Sequence, residues 1–348
     1  MIYFNNDYSE GCHPKLLHRL TETNLEQTPG YGTDCYCKAA ADKIRTACGN
    51  DSLSVHFLVG GTQTNLTVID AALRPHQGVL CASTGHIHVH ETGAVEATGH
   101  KVLTLDTKDG KISADQIRAV VASHRADEAM EHTVQPKMVY ISNPSELGTV
   151  YSRDELTGIS NACRELGLYL FLDGARLGYG LTAAGNDLTL ADLAALCDVF
   201  YIGGTKVGAL FGEAVVISHP ALAEDFRYLI KQHGGMLAKG RLLGVQFDTL
   251  FTDDLYFEIT KSANRLADQL RNTLQELGHP LFVPGTTNQV FAILPDKLLT
   301  ELANSFSFTE QQRVDETHRA VRFCTSWATT QAQMDALCDA LKILSNHP

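Results

Sequence analysis

The chain has 348 residues, 44% hydrophobic and 20% charged, which is typical of a globular protein with one large and one small domain. Its formal charge of −12 argues against nucleic acid or anionic membranes as general partners, because both favour a basic face. No apolar run reaches the ~18 residues of a membrane span, and Met1–Asp7 lacks the pattern of a signal peptide, so we expect a cytoplasmic protein with no membrane partner.

The middle of the chain alternates short apolar runs with amphipathic helical patterns. The predicted strands are, in chain order, Ser54–Val59, Val79–Ala82, Val102–Leu105, Lys137–Ser142, Leu168–Leu172, Val199–Ile202 and Ala214–Ile217. The predicted helices among them are Thr64–Leu73, Ala114–His124 and Arg153–Leu166. Parallel strands need such crossover helices, so the pattern predicts an α/β fold with a large, mostly parallel sheet. Ligands of these sheets bind at the carboxyl ends of the strands.

After Pro220 the pattern changes to long helices, and from Phe282 onward it alternates strand, helix, strand and helix. This order predicts a smaller α+β domain. We therefore predict a large ligand-binding domain at 46–245 and a small domain at 246–348. The polar, irregular segment 1–45 is expected to pack with the small domain.

The most informative segment is Asp198–Gly212, in which a buried strand leads into two glycines, Thr205 and Lys206. A charged lysine is costly to bury, so this amine is expected to be paired or to lose its proton. Desolvation lowers the pKa of an amine, which a Schiff-base nucleophile needs, and the glycines allow a planar cofactor to approach. The alternative is a surface lysine in a turn after an edge strand.

Asp173 ends a buried strand and leads into Gly174, Ala175 and Arg176. A carboxylate at that place can keep a pyridine nitrogen protonated, although it could equally cap the next helix. Arg176 could hold a phenolate oxygen or a substrate carboxylate, or could form a structural ion pair.

The turn Gly60–Asn65 lies between a predicted strand and a predicted helix. Its N–H groups and the Thr62 hydroxyl could bind a phosphate at the helix start. Glycines are also common in turns of this kind for backbone reasons alone. The turn is neither a P-loop nor a dinucleotide fingerprint.

His86, His88, His90 and Glu91 are concentrated in one short segment. In an extended segment all three histidines would share one face, which suggests a metal, but no further ligand cluster follows. No metal site is therefore predicted. A ring stacked on a cofactor, with His86 as the candidate, is the preferred function, and histidines on a solvated loop are the alternative.

Eight segments of the chain match one known family in order and spacing. They are Phe4–Asp7, Tyr31–Asp34, Gly60–Asn65, His86–Ala94, Ser145–Leu156, Phe171–Arg176, Gly203–Lys206 and Val321–Thr329. The chain resembles the low-specificity threonine aldolases and β-eliminating lyases among the fold-type-I pyridoxal-phosphate enzymes. One such segment alone is a weak signal, whereas eight in order are specific.

The resemblance implies an aspartate-aminotransferase-like fold, pyridoxal 5′-phosphate as cofactor, and Lys206, Asp173 and His86 as catalytic residues. Lys206 would carry the cofactor as a Schiff base, Asp173 would pair with its pyridine nitrogen, and His86 would stack on the ring and handle the β-hydroxyl proton. The implied cofactor contacts are Gly61, Thr62, His86, Asp173, Arg176 and Lys206. The implied substrate contacts are Asn6, Arg176 and Arg322. The residues that would reach a neighbouring subunit's site are Tyr31, Lys231 and Lys239, which implies a homodimer or homotetramer.

The implied reaction is aldol cleavage of a small β-hydroxy-α-amino acid, of the threonine or allo-threonine type, to glycine and an aldehyde. The alternatives are β-elimination of a small amino acid to ammonia and a keto acid, and transamination. The chain departs from the family pattern at Asn6, Val207 and Ser145, where serine, asparagine and glutamine are usual. These positions affect substrate and ring-oxygen contacts, so the cofactor is specified more closely than the substrate.

Overall fold

The computed structural model describes residues 1–345, which form a seven-stranded sheet, a three-stranded sheet and a two-stranded sheet, with helices packed around them. The chain begins with β1 (Ile2–Tyr3), α1 (Pro14–Glu22) and α2 (Cys35–Cys48). The large sheet and its helices follow as β2 (Ser54–Leu58), α3 (Gly61–Ala72), β3 (Gln77–Ala82), α4 (His86–Val89), α5 (Ala94–Ala97), β4 (Lys101–Leu105), α6 (Ala114–Ala126), β5 (Gln135–Ser142), α7 (Arg153–Leu166), β6 (Tyr169–Asp173), α8 (Leu177–Leu181), α9 (Leu190–Leu196), β7 (Val199–Gly203) and β8 (Glu213–Ile217). The remaining elements are α10 (Pro220–Ala223), α11 (Phe226–Gln232), α12 (Arg241–Leu250), α13 (Leu255–Glu276), β9 (Gln289–Pro295), α14 (Asp296–Leu302), β10 (Phe306–Ser307), β11 (Thr309–Arg313), β12 (His318–Cys324) and α15 (Gln331–Ser345).

The large sheet has the strand order β2-β8-β7-β6-β5-β3-β4, and its pairs are parallel except for those that β8 makes with β2 and β7. Every residue of β3, β7 and β8 is buried. Side chains of β7 alternate between two cores, with Val199 and Tyr201 on the face covered by α3 and with Phe200 and Ile202 on the other face. Burial on both faces explains the continuous apolar runs, and the predicted mostly parallel sheet is confirmed.

Local capping sets the bounds of helix α7, which match the prediction. Ser152 accepts a hydrogen bond from the Glu155 N–H, and the Glu155 carboxylate accepts one from the Ser152 N–H. At the other end Gly167 adopts φ 72°, a left-handed conformation that glycine reaches without strain. These signals are readable in the sequence itself.

The smaller domain is built on the antiparallel sheet β11-β12-β9, packed against α13, α14 and α15. Helix α13 links the two domains, because Ile259 and Ala263 belong to the core of the large sheet, whereas Leu266 and Leu270 belong to the core of the small domain. The change of core therefore lies inside α13, further along the chain than the predicted boundary after residue 245.

The N-terminal segment differs from the prediction. Strand β1 does pair with β10 of the small domain, with Ile2 opposite Phe306. Residues 14–48, however, contain two helices whose apolar faces place Leu16 and Ile44 in the core of the large sheet. The expectation of an irregular segment packed on the small domain is wrong for this part, because the apolar side chains recur at helical spacing and α2 packs against α12. Within residues 1–345, no helix combines the length and the hydrophobicity needed to cross a membrane.

Candidate active site

A cavity of about 300 Å³ opens at the carboxyl ends of β5, β6 and β7, beside the first turn of α3. This is where parallel sheets place their ligands. The predicted site residues that line it are Gly61, Thr62, His86, Asp173, Arg176 and Lys206. The fold therefore brings six predicted positions from four separate segments around one cavity.

Lys206 follows β7 in a turn that needs its two glycines. A side chain at Gly203 would place its Cβ 2.3 Å from the Ala175 carbonyl oxygen, so this approach of backbone to backbone excludes any larger residue. The amine lines the cavity and is half-buried rather than exposed on the surface. Burial, followed by the positive charge of Arg176, lowers the pKa of the Lys206 amine, although nearby carboxylates including Asp173 act in the opposite direction. The amine thus has the environment of a nucleophile.

Asp173 is the last residue of β6, and its carboxylate is held by three donors. Its Oδ1 accepts a hydrogen bond from the Ala175 N–H at 2.9 Å. Its Oδ2 accepts bonds from the Tyr140 hydroxyl at 2.5 Å and from the Asn65 amide at 3.1 Å. The helix-cap alternative is wrong, since α8 begins after Arg176 and has no side-chain cap. The carboxylate is fixed at the cavity wall instead.

His86 begins the short helix α4, so the segment is not extended as the metal alternative assumed. Its Nδ1 lies 2.7 Å from Oε1 of the buried Glu91. The same Oε1 accepts a bond from the Asn65 amide at 2.7 Å, which connects His86 to Asp173 through two side chains. Because Glu91 accepts the hydrogen of Nδ1, the neutral tautomer assigned from this contact has its lone pair on Nε2. His88 and His90 are exposed to solvent, but His88 belongs to α4 and not to a loop.

The two predicted carboxylate-binding arginines have different partners. Arg176 donates from Nε and Nη2 to both oxygens of the buried Asp7, at 2.7 and 3.0 Å, so the structural ion pair is present. Arg322 donates from Nη1 to Gln289 and from Nη2 to the Asn5 carbonyl. Its buried Nε has no hydrogen-bond partner within residues 1–345. Arg322 therefore keeps an unused donor, which is costly unless an anion occupies it.

The other predicted residues do not line this cavity. The side-chain oxygen of Asn6 accepts hydrogen bonds from the nearby Tyr8 N–H and Ser9 hydroxyl. Tyr31 lines a different cavity, with the Lys231 amine 4.9 Å from its ring centroid, and Lys239 lines a third one. Within one chain, the three residues predicted to serve a neighbouring subunit lie apart from the Lys206 cavity.

Two carboxyl groups in the cavity wall were missed from the sequence. Glu146 Oε1 accepts bonds from the Ser142 hydroxyl at 2.6 Å and from the His86 N–H at 2.9 Å, and burial raises the pKa of Glu146. Glu213 Oε2 accepts a bond from the Gly204 N–H at 3.0 Å. The only sequence signal for Glu213 is a charged residue at the head of a fully apolar strand.

The first turn of α3 can bind a phosphate. Gly60 precedes this helix and provides no side-chain cap, so the N–H groups of the first turn remain available to an anion. At Gly61 a Cβ would lie 3.2 Å from the Tyr201 hydroxyl, which leaves little space for a side chain. Phosphate donors, a nucleophilic amine, a fixed carboxylate and a histidine ring thus surround one cavity. The set suits a phosphorylated aromatic aldehyde.

Comparisons with known proteins agree with this arrangement. The family model described as beta-eliminating lyase matches residues 13–297. The chain is 33% identical over 302 residues to the low specificity L-threonine aldolase of Pseudomonas aeruginosa, covering 86% of each protein. A solved structure of Leishmania major threonine aldolase superposes with a TM-score of 0.97 at 46% identity, covering 99% of this chain and 100% of that one. A Thermus thermophilus aspartate aminotransferase mutant has a TM-score of 0.72 at 15% identity over 99% of this chain and 91% of that one, a likeness in fold alone.

Proposed function

This chain belongs to the beta-eliminating lyase family, and from that premise we propose that it is a pyridoxal-phosphate-dependent lyase that cleaves a β-hydroxy-α-amino acid of the threonine type to glycine and an aldehyde. The observation that supports this most is the convergence of Lys206 and Asp173 on one cavity with His86. The overall likeness to threonine aldolases adds the reaction and the substrate class.

We propose that the cofactor phosphate is held by Gly61 and Thr62 at the first turn of α3, and that Asp173 faces the ring nitrogen. Pyridoxal phosphate supplies a carbonyl group that takes up an amine and a ring that accepts electrons from a bond breaking at the α-carbon. His86 would cover one ring face, and the Arg176 Nη1, which Asp7 does not engage, would contact the ring oxygen.

The proton at the substrate's β-hydroxyl is assigned to His86. Glu91 fixes the imidazole through Nδ1, so Nε2 keeps the lone pair that a general base needs. Glu91 is itself buried and hydrogen-bonded to Asn65, which holds the ring in one orientation. Lys206, whose amine pKa is lowered by burial, can give and accept a proton at Nζ near the α-carbon.

We propose that the substrate carboxylate is bound by Arg176, which lines the Lys206 cavity, together with Arg322, which does not line it. Arg322 is held by Gln289 and by the Asn5 carbonyl, and its buried Nε has no partner within residues 1–345. An Arg–carboxylate contact fixes the orientation of the α-carbon, which determines the bond that is aligned for cleavage. Arg176 has two of its three nitrogens on Asp7, so it can contribute less.

Product analysis tests the proposed reaction. We expect the purified protein, loaded with cofactor, to convert L-threonine or L-allo-threonine into glycine and acetaldehyde in equal amounts. Acetaldehyde is measured through its reduction, and glycine is measured by amino-acid analysis. A matched control is L-2-aminobutyrate, which lacks the β-hydroxyl and should give no aldehyde. Ammonia and 2-oxobutanoate from threonine, without glycine, would instead assign the site to β-elimination.

We propose further that the active sites are shared in a homodimer or homotetramer. Tyr31, Lys231 and Lys239 lie outside their own chain's Lys206 cavity, and Tyr31 is 48% exposed. The Lys231 amine stacks on the Tyr31 ring, so the two form one exposed cationic and aromatic surface. Such a surface is suited to contact an anionic group in a neighbouring site.

Hybrid oligomers test the sharing. Lys206→Ala and Tyr31→Ala variants, each nearly inactive alone, should regain activity when co-expressed, because one subunit supplies the lysine and its neighbour the tyrosine. Random pairing in a symmetric dimer restores one site in every second dimer, about a quarter of the wild-type activity. Hybrids as inactive as the two parents would mean that Tyr31 does not act across subunits.

A further inference from the structure

Glu213 is a buried carboxyl group to which none of the roles above is assigned. It is the first residue of β8 and is paired on one side with Leu58 and on the other with Gly203. Leu58 leads into the glycine turn at the start of α3, and Gly203 leads into Lys206. The sheet register therefore places Glu213 between the phosphate-binding turn and the amine.

The side chain of Glu213 points to the same face of the sheet as these groups. Every second residue of a strand points to the same face, so Glu213 shares its face with Val215, and Ala214 points to the other face. Val215 and Tyr201 belong to the core on the α3 side of the sheet. Glu213 lines the cavity together with Gly61 and Lys206, and is 3% exposed. Oε2 accepts a bond from the Gly204 N–H at 3.0 Å, and the Thr205 hydroxyl also donates to this carboxyl group.

Several charged and titratable groups surround Glu213. They are Lys206 after β7, Tyr201 on β7, Asp173 on β6 and Tyr256 on α13, with Arg176 and Glu146 in the wall of the same cavity. On β2 the titratable side chain of the same face is His56, opposite Val215. Burial raises the pKa of the Glu213 carboxyl to about 7, against the lowering effects of a hydrogen bond from Thr205, the Lys206 charge and the Gly204 N–H. The Glu213 carboxyl group therefore changes between its neutral and its ionised form near neutral pH.

We propose that Glu213 takes up one proton from solvent when the cofactor's phosphate binds, and then serves as a neutral carboxylic acid beside that phosphate. The inference rests on the proposed function. A bound phosphate carries close to two negative charges above pH 7, so an ionised carboxylate beside it would be repelled, whereas a carboxylic acid can donate a hydrogen bond. Cofactor retention should therefore weaken as pH rises, because the proton becomes harder to acquire.

Calorimetric titration of the cofactor-free chain tests the proposal. The probe is pyridoxine 5′-phosphate, whose alcohol cannot form a Schiff base with Lys206, titrated between pH 7 and 9 in buffers of different ionisation enthalpy. We expect wild type to take up close to one more proton per site at pH 8 than Glu213→Gln. The wild-type association constant should fall more steeply with pH, by up to about tenfold per pH unit relative to the variant.

Two further variants make the outcome specific. Glu146→Gln is the matched control, because Glu146 is a cavity carboxyl with a raised pKa that contacts Ser142 and His86 instead of the glycine turn, and it should keep the wild-type proton uptake. Glu213→Asp keeps a titratable group and should retain the proton uptake at a lower affinity for the probe.

Equal proton uptake in wild type and Glu213→Gln overturns the inference alone, since the probe still binds. A wild-type chain that binds no probe overturns both the inference and the proposed function. If Glu213→Gln does not fold, wild type titrated with pyridoxine, which lacks the phosphate, must show the lower uptake.

Discussion

Replacing Lys206 with alanine is expected to lower kcat for threonine cleavage about a thousandfold or more, because general acid–base and nucleophilic roles would be lost from one atom. The amine lies in the cavity with a pKa lowered by burial, and no second lysine lines that cavity within residues 1–345. Alanine leaves no group to hold the cofactor covalently or to move a proton at the α-carbon. Steady-state rates, with aldehyde release as the signal, measure the loss.

Lys137→Ala is the matched control for this substitution. Lys137 lies near the amino end of β5, with its amine 5.0 Å from the Tyr169 ring centroid, at the edge of the sheet opposite the cavity. The Lys137→Ala variant should therefore keep kcat close to the wild-type value. Equal activities of the Lys206→Ala protein and the wild type, with circular dichroism showing that both are folded, would remove Lys206 from the reaction.

Replacing Asp173 with asparagine is expected to lower kcat about a hundredfold or more, with a smaller change in KM, because the electrostatic stabilisation acts on charge that develops in the reaction. The Tyr140 hydroxyl and the Asn65 amide both donate to Oδ2. An asparagine amide offers a neutral group to the ring nitrogen and cannot hold a proton there as an ion pair. Steady-state measurements of kcat and KM for threonine, made on the variant and on the wild type, test this expectation.

Asp198→Asn provides the matched control, since Asp198 precedes β7 at the amino end and accepts a bond from the Leu170 N–H. It should change kcat little. A cofactor methylated at the ring nitrogen, which carries a permanent positive charge, should restore part of the Asp173→Asn activity. If that analogue gives no gain while the protein remains folded and binds it, the role of Asp173 as the partner of the ring nitrogen is wrong.

Much of the site could be predicted because its parts end strands of one sheet. Lys206 and Asp173 each follow an apolar run, and the carboxyl ends of parallel strands meet at one edge. The position of both residues at that edge therefore follows from the pattern of apolar runs, and the family resemblance added the roles. The aspartate-aminotransferase-like fold and the lyase family are confirmed, whereas the roles of individual side chains remain predictions.

Contacts between distant segments could not be predicted. The ion pair of Asp7 with Arg176 joins residues 169 positions apart, and the register of Glu213 with Leu58 depends on how β8 enters the sheet. The short segment His86–Val89 fits a strand and a helix equally well by its pattern. Tertiary bonds from its N–H to Glu146 and from its ring to Glu91 accompany the helical form.

The missed helices at the N-terminus are different, since a local signal was present. Asp34 caps α2 by accepting bonds from the Tyr36 and Cys37 N–H groups, and Gly49 ends the helix at φ 64°. Both are standard helix boundaries. The apolar face of α2 consists largely of alanine and cysteine, whose small side chains make the helical spacing hard to recognise in the sequence.

Reduction of the cofactor-loaded protein with borohydride, followed by peptide mass mapping, tests the central claim most directly. A Schiff base with the cofactor becomes a stable secondary amine on the lysine that carried it. We expect the added mass on Lys206, in a peptide that contains Gly203 and Gly204. Labelling of a different lysine, such as Lys231 or Lys239, or of none, would contradict the account.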